Sequence, residues 1–299
     1  MAPPLVSFVT FNRLGLTVRN LNALLNTTDD FELHIVDSNS KDDTWDYIQS
    51  LNDSRIKSKV RFAVNAGPIY AVNFTLTQRK PQQYFISIDS DVHIKNSGWV
   101  ASFMRVFDTF PEVGLLGVPR ANPYPHYFPQ HVALEINGSR YMQLLNGDVG
   151  VTLDFVPGHF QCLRPELINL LGYWSEESYY GDAEISVRVN KYTPYRAGFI
   201  TEIDIDQTQS IPCHECEGQL WCKLDKEANT CFSIRNARYK NEPFASQYNW
   251  KYIEYFNELQ QGKRTVYCAS IHDPESIRTH KYNMAWAQEN FNYYLINAN

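Results

Sequence analysis

The stretch YFISIDSDVHI, residues 84–94, decides the fold of this chain. It begins with aromatic and β-branched residues, which is the composition of a strand buried on both faces of a mostly parallel sheet. Asp89, Ser90 and Asp91 follow where that strand should end. Two carboxylates one residue apart repel each other unless a cation lies between them, so this ending predicts a divalent metal shared with substrate phosphates. The alternative interpretation is a solvated turn after a core strand.

Apolar runs upstream of this stretch predict further strands at residues 5–10, 31–36 and 60–64, with helical patterns between them. The connections are short. Strand, helix and strand in this order predict a right-handed βαβ series, and therefore an α/β fold built on a mostly parallel sheet flanked by helices.

Successive predicted strands end in polar residues, first Asn12, then Asp37, then Asp89 and Asp91. Ligands of open α/β sheets bind at the carboxyl ends of the strands. The sequence therefore predicts a nucleotide-sized site at one edge of the sheet.

The ordered set VSFVTFNR, IVDSNSKDDTWDYI, NAGPIYAVN and SIDSDVHI resembles the nucleotide-binding half of family 2 glycosyltransferases, which have the GT-A (Rossmann-like) fold. This resemblance implies a nucleotide-diphosphate sugar donor with Mn²⁺ or Mg²⁺. It implies that Asp37 reads the nucleobase, usually uracil, and that Asp89 and Asp91 face the ribose and the metal. The family often has the sequence DDGS after its second strand, whereas this chain has DSNS at 37–40, which makes the choice of base less secure.

The residues expected to bind the donor and the metal fall into two groups. The candidates for donor binding are Thr10, Asn12, Arg13, Asp37, Asn65, Gly67, Asp89 and Ser90. The candidates for holding the catalytic metal are Asp89, Asp91 and His214, with His272 as the next histidine, because the family often uses a histidine after the last strand as a further ligand.

The candidate catalytic base is Asp182, at the start of a helical pattern that follows a strand and helix resembling those before the family's catalytic residue. The positive end of a helix dipole favours an ionised carboxylate there. The alternative interpretation of Asp182 is a helix cap. Glu184 is the second candidate, and Glu176 or Glu177 is a weaker one.

Four cysteines crowd into one short segment, at Cys213, Cys216, Cys222 and Cys231. The first two form C-x-x-C, which suits a structural Zn²⁺ site. The later spacings fit no common zinc finger, so reduced core cysteines, two disulfides or an iron–sulfur site remain alternatives.

The chain divides into a catalytic domain and an extension packed on it. We expect a GT-A catalytic domain at 1–205, with a nucleotide-binding half at 1–98 and an acceptor half at 99–205, and then a Cys-rich segment with two amphipathic helices at 206–299. The acceptor half contains an irregular aromatic loop at 120–128, a hairpin at 132–142 and a strand at 149–155.

Composition narrows the class of protein. A hydrophobic content of 43% is ample for a core, and a net charge of -6 argues against nonspecific nucleic-acid binding. We expect no membrane-spanning helix and no secretory signal, and therefore a cytoplasmic location.

These observations lead to one main functional hypothesis. It is a metal-dependent glycosyltransferase (EC 2.4 class) that moves a sugar to an acceptor hydroxyl with an aspartate as general base. The family resemblance implies that the donor is a UDP-sugar and that the reaction is inverting. The acceptor class stays open among glycan, protein, lipid and modified nucleobase. The alternatives are a sugar nucleotidyltransferase, or a non-catalytic GT-A-like domain with a zinc-bound interaction module.

Overall fold

A computed structural model describes residues 2–119, 130–145, 155–178, 181–207, 214 and 242–295. The strands are β1 (Leu5–Thr10), β2 (Glu32–Asp37), β3 (Ile56–Arg61), β4 (Phe85–Asp89), β5 (Val92–Ile94), β6 (Val113–Gly117), β7 (His131–Ile136), β8 (Ser139–Leu144), β9 (Phe160–Leu163), β10 (Arg196–Phe199) and β11 (Ile205–Gln207). The helices are α1 (Leu14–Asn26), α2 (Thr44–Ser50), α3 (Pro68–Leu76), α4 (Trp99–Thr109), α5 (Pro165–Leu171), α6 (Gly181–Tyr192), α7 (Glu242–Gln260), α8 (Pro274–Thr279) and α9 (Met284–Leu295).

Within the described residues, nine strands form one sheet in the order β3-β2-β1-β4-β9-β6-β10-β8-β7. The first four strands are parallel, as the βαβ pattern predicts. Strand β9 runs antiparallel between β4 and β6. A separate ribbon pairs β5 with β11. The predicted mostly parallel sheet is therefore confirmed, with β9 inverted near its centre and β8 inverted between β10 and β7.

The hairpin of β7 and β8 also follows the prediction. Its turn consists of Asn137 and Gly138, which have positive φ values of 50° and 77°. A two-residue turn of this hand matches the twist of the flanking strands, and an Asn-Gly pair adopts it readily.

Two apolar layers cover the sheet. On one face the sheet packs against Leu21 of α1, Ile48 of α2 and Phe103 of α4. On the other face it packs against Val72 of α3 and Leu167 of α5, together with α6. Each fully buried side chain of this size contributes roughly 1.5–3 kcal/mol, so the layers hold the strand ends in place.

Residues 242–295, the described part of the predicted extension, are joined to the segment before α6 by buried polar contacts. Glu176, at 2% exposure, accepts hydrogen bonds from Ser270 Oγ at 2.6 Å, the Ile271 amide at 3.0 Å and Tyr282 Oη at 2.6 Å. Glu177 accepts from both terminal nitrogens of Arg264. Several residues of the extension are therefore tied to the segment that leads into α6.

Some element boundaries differ from the sequence prediction. The third strand lies at Ile56–Arg61 and not at 60–64, because it is the edge strand and alternates lysines with its apolar residues. The apolar run at 196–205, which has the composition of one strand, forms two strands, β10 and β11, of which the second joins β5 outside the main sheet. The predicted loop at 120–128 and most of the predicted strand at 149–155 lie outside the described residues.

None of the described helices combines the length and the apolar character that crossing a membrane requires.

The buried ion pair between Glu177 and Arg264 yields a stability prediction. Replacing Arg264 by Met leaves a buried carboxylate without its cation, so Arg264→Met should lower the free energy of unfolding by about 3–5 kcal/mol. Urea denaturation of the full chain measures this. The control is Arg278→Met, which removes a guanidinium whose side chain is 76% exposed in a pair with Glu275, and it should cost less than about 1 kcal/mol. Equal losses in the two variants would contradict the structural role of Arg264.

Candidate active site

The carboxyl ends of three neighbouring strands bring the predicted polar residues together. The parallel register pairs Thr10 of β1 with Asp37 of β2, and Val9 of β1 with Asp89 of β4. Adjacent strands lie about 4.8 Å apart, so these groups share one edge of the sheet.

The acidic turn between β4 and β5 is fixed from two sides. The Asp89 amide donates a hydrogen bond to the His159 carbonyl at 2.8 Å. Asn20 of α1 is buried, and its Nδ2 donates to the Ser90 carbonyl at 2.7 Å. Asp89 is half-buried and Asp91 is 7% exposed. The two carboxylates of this turn are therefore carried on a backbone with little freedom to move.

The loops after β1 and β2 interlock. Asn12 and Arg13 adopt left-handed backbone conformations, with φ of 55° and 64°. The Asn12 amide donates to Ser40 Oγ at 2.7 Å, and Asn12 Oδ1 accepts from the Lys41 amide at 2.8 Å. Thr10 Oγ1 lies 2.8 Å from Thr17 Oγ1. Asn12 and Thr10 thus shape the two loops that border the predicted base pocket.

Asp37 lies beneath these loops with no exposed surface. Its carboxylate accepts hydrogen bonds from the Ser40 amide and hydroxyl, and it pairs with Arg61 Nε at 3.3 Å. Burial raises the pKa of the Asp37 carboxyl, while the Ser40 hydrogen bonds and the Arg61 charge oppose that shift.

The segment after β3 starts α3 at the same edge. Asn65 Oδ1 accepts a hydrogen bond from the Gly67 amide at 3.0 Å. Gly67 has a φ of 91°, a conformation that glycine adopts without strain, and Pro68 then begins the helix.

Asp182 lies in the first turn of α6 and is half-buried. Its Oδ2 accepts a hydrogen bond from the Gly158 amide at 3.2 Å. Gly158 immediately precedes His159, whose carbonyl accepts from Asp89. Two consecutive residues therefore hold the candidate base on one side and the acidic turn on the other.

Glu184 does not suit the role of a second catalytic base. It has no exposed surface and forms a buried ion pair with Arg188 one helical turn later. Arg188 also donates to the carbonyls of Leu171 and Tyr173, both at 2.8 Å. Burial raises the pKa of the Glu184 carboxyl against the influence of Arg188. A carboxylate enclosed in this way does not reach a substrate hydroxyl.

Glu176 and Glu177, the weaker base candidates, are likewise engaged in holding the extension. His272 packs its ring against Tyr70, with ring centroids 4.0 Å apart, and its Nε2 lies 3.0 Å from the Tyr70 carbonyl. The second histidine candidate is therefore a packing contact with α3.

His214 is exposed. The cysteines predicted to hold zinc, Cys213, Cys216, Cys222 and Cys231, lie outside the described residues. Among the side chains that the structure describes, no cluster of three or more His, Cys, Asp or Glu residues could hold a metal ion by itself. Any ion at the acidic turn would therefore need oxygen ligands from a substrate or from water.

Sequence reasoning missed the residues that position this site. Asn20, Gly158, His159 and Arg61 all contact predicted site residues. Only Asn20 carried a signal, as an amide that lies beside leucines on the buried face of α1. The backbone contacts of Gly158 and His159 depend on sheet register, which no local pattern reports.

A sequence profile described as glycosyl transferase family 2 matches residues 6–171, which is more than half of the chain. The chain belongs to this family. The match includes both strands that carry Asp37 and Asp89, and it ends before Asp182. No curated protein sequence matches the chain significantly.

Solved structures with a similar fold are distant in sequence. A Pyrobaculum calidifontis mannosyltransferase, PcManGT, in complex with GDP-Man and Mn²⁺ has 16% identity and a TM-score of 0.54, covering 100% of this chain and 86% of the other. Staphylococcus aureus TarS 1–349 in complex with UDP has 20% identity and a TM-score of 0.51, covering 68% and 59%. A second structure of TarS 1–349 has 18% identity and a TM-score of 0.50, covering 69% and 60%.

This chain therefore spans about 60% of the length of the TarS fragment. At these identities the likeness concerns the fold, and it agrees with the predicted GT-A architecture.

Asn20 yields a prediction about the acidic turn. Asn20→Asp replaces an amide donor by a buried carboxylate that faces the Ser90 carbonyl, so it should lower the free energy of unfolding by about 1–3 kcal/mol at neutral pH. The control on the same helix is Asn22→Asp, because Asn22 is exposed and its Oδ1 only accepts a hydrogen bond from Tyr47. Thermal and urea unfolding measure both variants. An unchanged stability in Asn20→Asp would show that Asn20 does not hold the turn.

Proposed function

We propose that this protein is a glycosyltransferase that moves a sugar from a nucleoside diphosphate donor to an acceptor hydroxyl. One observation carries the proposal, namely that residues 158–159 hold Asp182 and the acidic turn together at the carboxyl edge of the sheet. Family membership supports the reaction class.

The acidic turn fits a hard divalent cation. Asp89 and Asp91 supply carboxylate oxygens, which Mn²⁺ and Mg²⁺ prefer, and such ions are commonly held by one or two carboxylates together with substrate phosphates. We propose Asp91 and Asp89 as the ligands, with the exposed His214 as a candidate third. When bound, the ion supplies neutralisation of the charge on the departing diphosphate.

Asp182 is the proposed general base. The Gly158 amide holds one carboxylate oxygen, and Asp182 lies in the first turn of α6. An ionised carboxylate can take the proton from the acceptor hydroxyl as that oxygen attacks the anomeric carbon. Inversion of configuration, from a single displacement, is carried over from the family resemblance.

The donor pocket would be formed by the interlocked loops after β1 and β2 and by the start of α3. Thr10, Asn12, Arg13, Asn65 and Gly67 border it, and Ser90 lies in the acidic turn. The uracil expected from the family resemblance depends on whether a base can reach Asp37.

The test is a panel of nucleotide sugars incubated with the full chain and Mn²⁺, in which release of the nucleoside diphosphate is measured without an acceptor. Asp182→Asn should lower the rate by about 10²- to 10⁴-fold. It should leave nucleotide binding nearly unchanged, whereas Asp91→Asn should abolish the Mn²⁺-dependent rise in melting temperature that a nucleoside diphosphate produces.

Equal loss of turnover and binding in Asp182→Asn would place the base elsewhere. Formation of a nucleotide sugar and pyrophosphate from a nucleoside triphosphate and a sugar phosphate would identify a nucleotidyltransferase. The absence of any nucleotide-dependent stabilisation would favour a non-catalytic role.

A structural zinc ion in the Cys-rich segment is a separate proposal, supported by the C-x-x-C spacing of Cys213 and Cys216. Metal analysis of the protein purified without added zinc should find about one equivalent. The double variant with serine at both positions should lose it, while Cys162→Ala, which alters a buried thiol outside the cluster, should retain it. A folded wild-type protein without zinc would overturn this proposal.

A further inference from the structure

The carboxylate of Asp37 is closed to a nucleobase. The residue has no exposed surface. Ser40 donates to it through both its amide and its hydroxyl, and Arg61 Nε lies 3.3 Å from Oδ2. Because Asp37 is fully buried, a base that hydrogen-bonded to it would have to open the loop above it. Asp37, to which the family resemblance assigns base reading, therefore supports the loops above it and is not open to a ligand.

Arg61 lies next to Asp37 and is open to solvent. It is the last residue of β3, in register with Asp37, and its side chain is 38% exposed. Its Nε faces the carboxylate, and one terminal nitrogen donates to the Ser40 carbonyl. A guanidinium has five N–H donors in a fixed plane, so these two contacts orient the group and leave further donors for a ligand.

The position of Arg61 matches the place of a base. The guanidinium lies over the carboxyl end of β2, since both of its contacts are at the end of that strand or just beyond it. In the sheet, β1 separates β2 from β4, which carries Asp89. Two strand spacings put the guanidinium about 10 Å from the acidic turn. In a nucleoside diphosphate, the ribose separates the diphosphate from the base, so a donor held at the acidic turn can extend its base toward Arg61.

The chemistry of the guanidinium selects among bases. It only donates, and its parallel N–H groups match two adjacent acceptors, the arrangement that guanine offers with O6 and N7. Uracil presents O4, N3–H and O2 in alternation, so a residue that reads uracil has to accept a hydrogen bond from N3–H. The guanidinium has no acceptor, and the carboxylate of Asp37 is buried. Cytosine has adjacent acceptors only at O2 and N3, and O2 lies beside the glycosidic bond, where the ribose obstructs a planar fork. Adenine puts a donor next to N7.

We propose that Arg61, and not Asp37, reads the nucleobase, and that the preferred donor carries guanine. This inference rests on the proposed function, since it names the base of the same nucleoside diphosphate donor. Asp37 is then a positioning residue, because its carboxylate holds the guanidinium plane in the pocket before the nucleotide arrives.

The experiment measures dissociation constants of GDP, UDP, CDP and ADP for the full chain with Mn²⁺ by calorimetry. GDP should bind at least about 10-fold more tightly than each of the others. Arg61→Lys keeps a cation beside Asp37 but removes the planar fork, so the GDP advantage should fall by about 10-fold while UDP binding changes little. Arg61→Gln should lose the same advantage.

The control is Arg105→Lys, which changes a guanidinium of comparable exposure on α4 that pairs with Glu202 and should leave the GDP-to-UDP ratio unchanged. Tighter or equal binding of UDP in the wild-type protein would overturn the inference and leave the nucleotide-sugar proposal standing. An unchanged ratio in both Arg61 variants would remove Arg61 as the reader. Failure of all four nucleotides to bind would overturn the inference and the donor proposal together.

Discussion

The arrangement of the candidate site depends on two backbone hydrogen bonds made by consecutive residues. The Gly158 amide holds Asp182, and the His159 carbonyl holds the amide of Asp89. These residues directly precede β9, the one antiparallel strand between β4 and β6. Because β9 runs opposite to its neighbours, its beginning lies at the edge where β4 ends. In a purely parallel sheet, only the last residues of the strands lie at this edge. The inverted strand adds the backbone donors and acceptors of the residues that precede it.

The acidic residues around the start of α6 have divided roles. Glu176 and Glu177 hold the extension, and Glu184 neutralises Arg188 in the interior. Each of these carboxylates is almost completely buried and hydrogen-bonded or ion-paired, which is the state that makes a buried charge tolerable. Asp182 is the member of this group that retains exposed surface. The extent of burial therefore distinguishes the three glutamates, which have structural contacts, from Asp182. This difference supports the proposal that Asp182 is the base.

Much of the fold could be predicted from the sequence, because its signals are local. The first parallel strands, the helices between them and the Asn137-Gly138 hairpin each have a periodicity or a turn residue of their own. The placement of Asp37 and Asp89 at one edge followed from the rule that parallel strands end together. The missed features are contacts between distant segments. The β9 insertion, the support from Asn20 and the bond between Arg61 and Asp37 arise from register across the sheet. Glu184 is a different case. Its spacing of four residues from Arg188 is a local signal of an ion pair, but the burial of that pair depends on packing by distant segments.

The interlocked loops after β1 and β2 have a thermodynamic consequence. Asn12 bonds to Ser40 and Lys41, and the Leu14 amide bonds to Asp42, so each loop serves as the scaffold of the other. The conformational entropy of ordering these loops is lost when the chain folds and does not have to be lost again when a ligand arrives. Association at this corner should therefore proceed without a slow rearrangement, and the two loops should respond to perturbation as one cooperative unit.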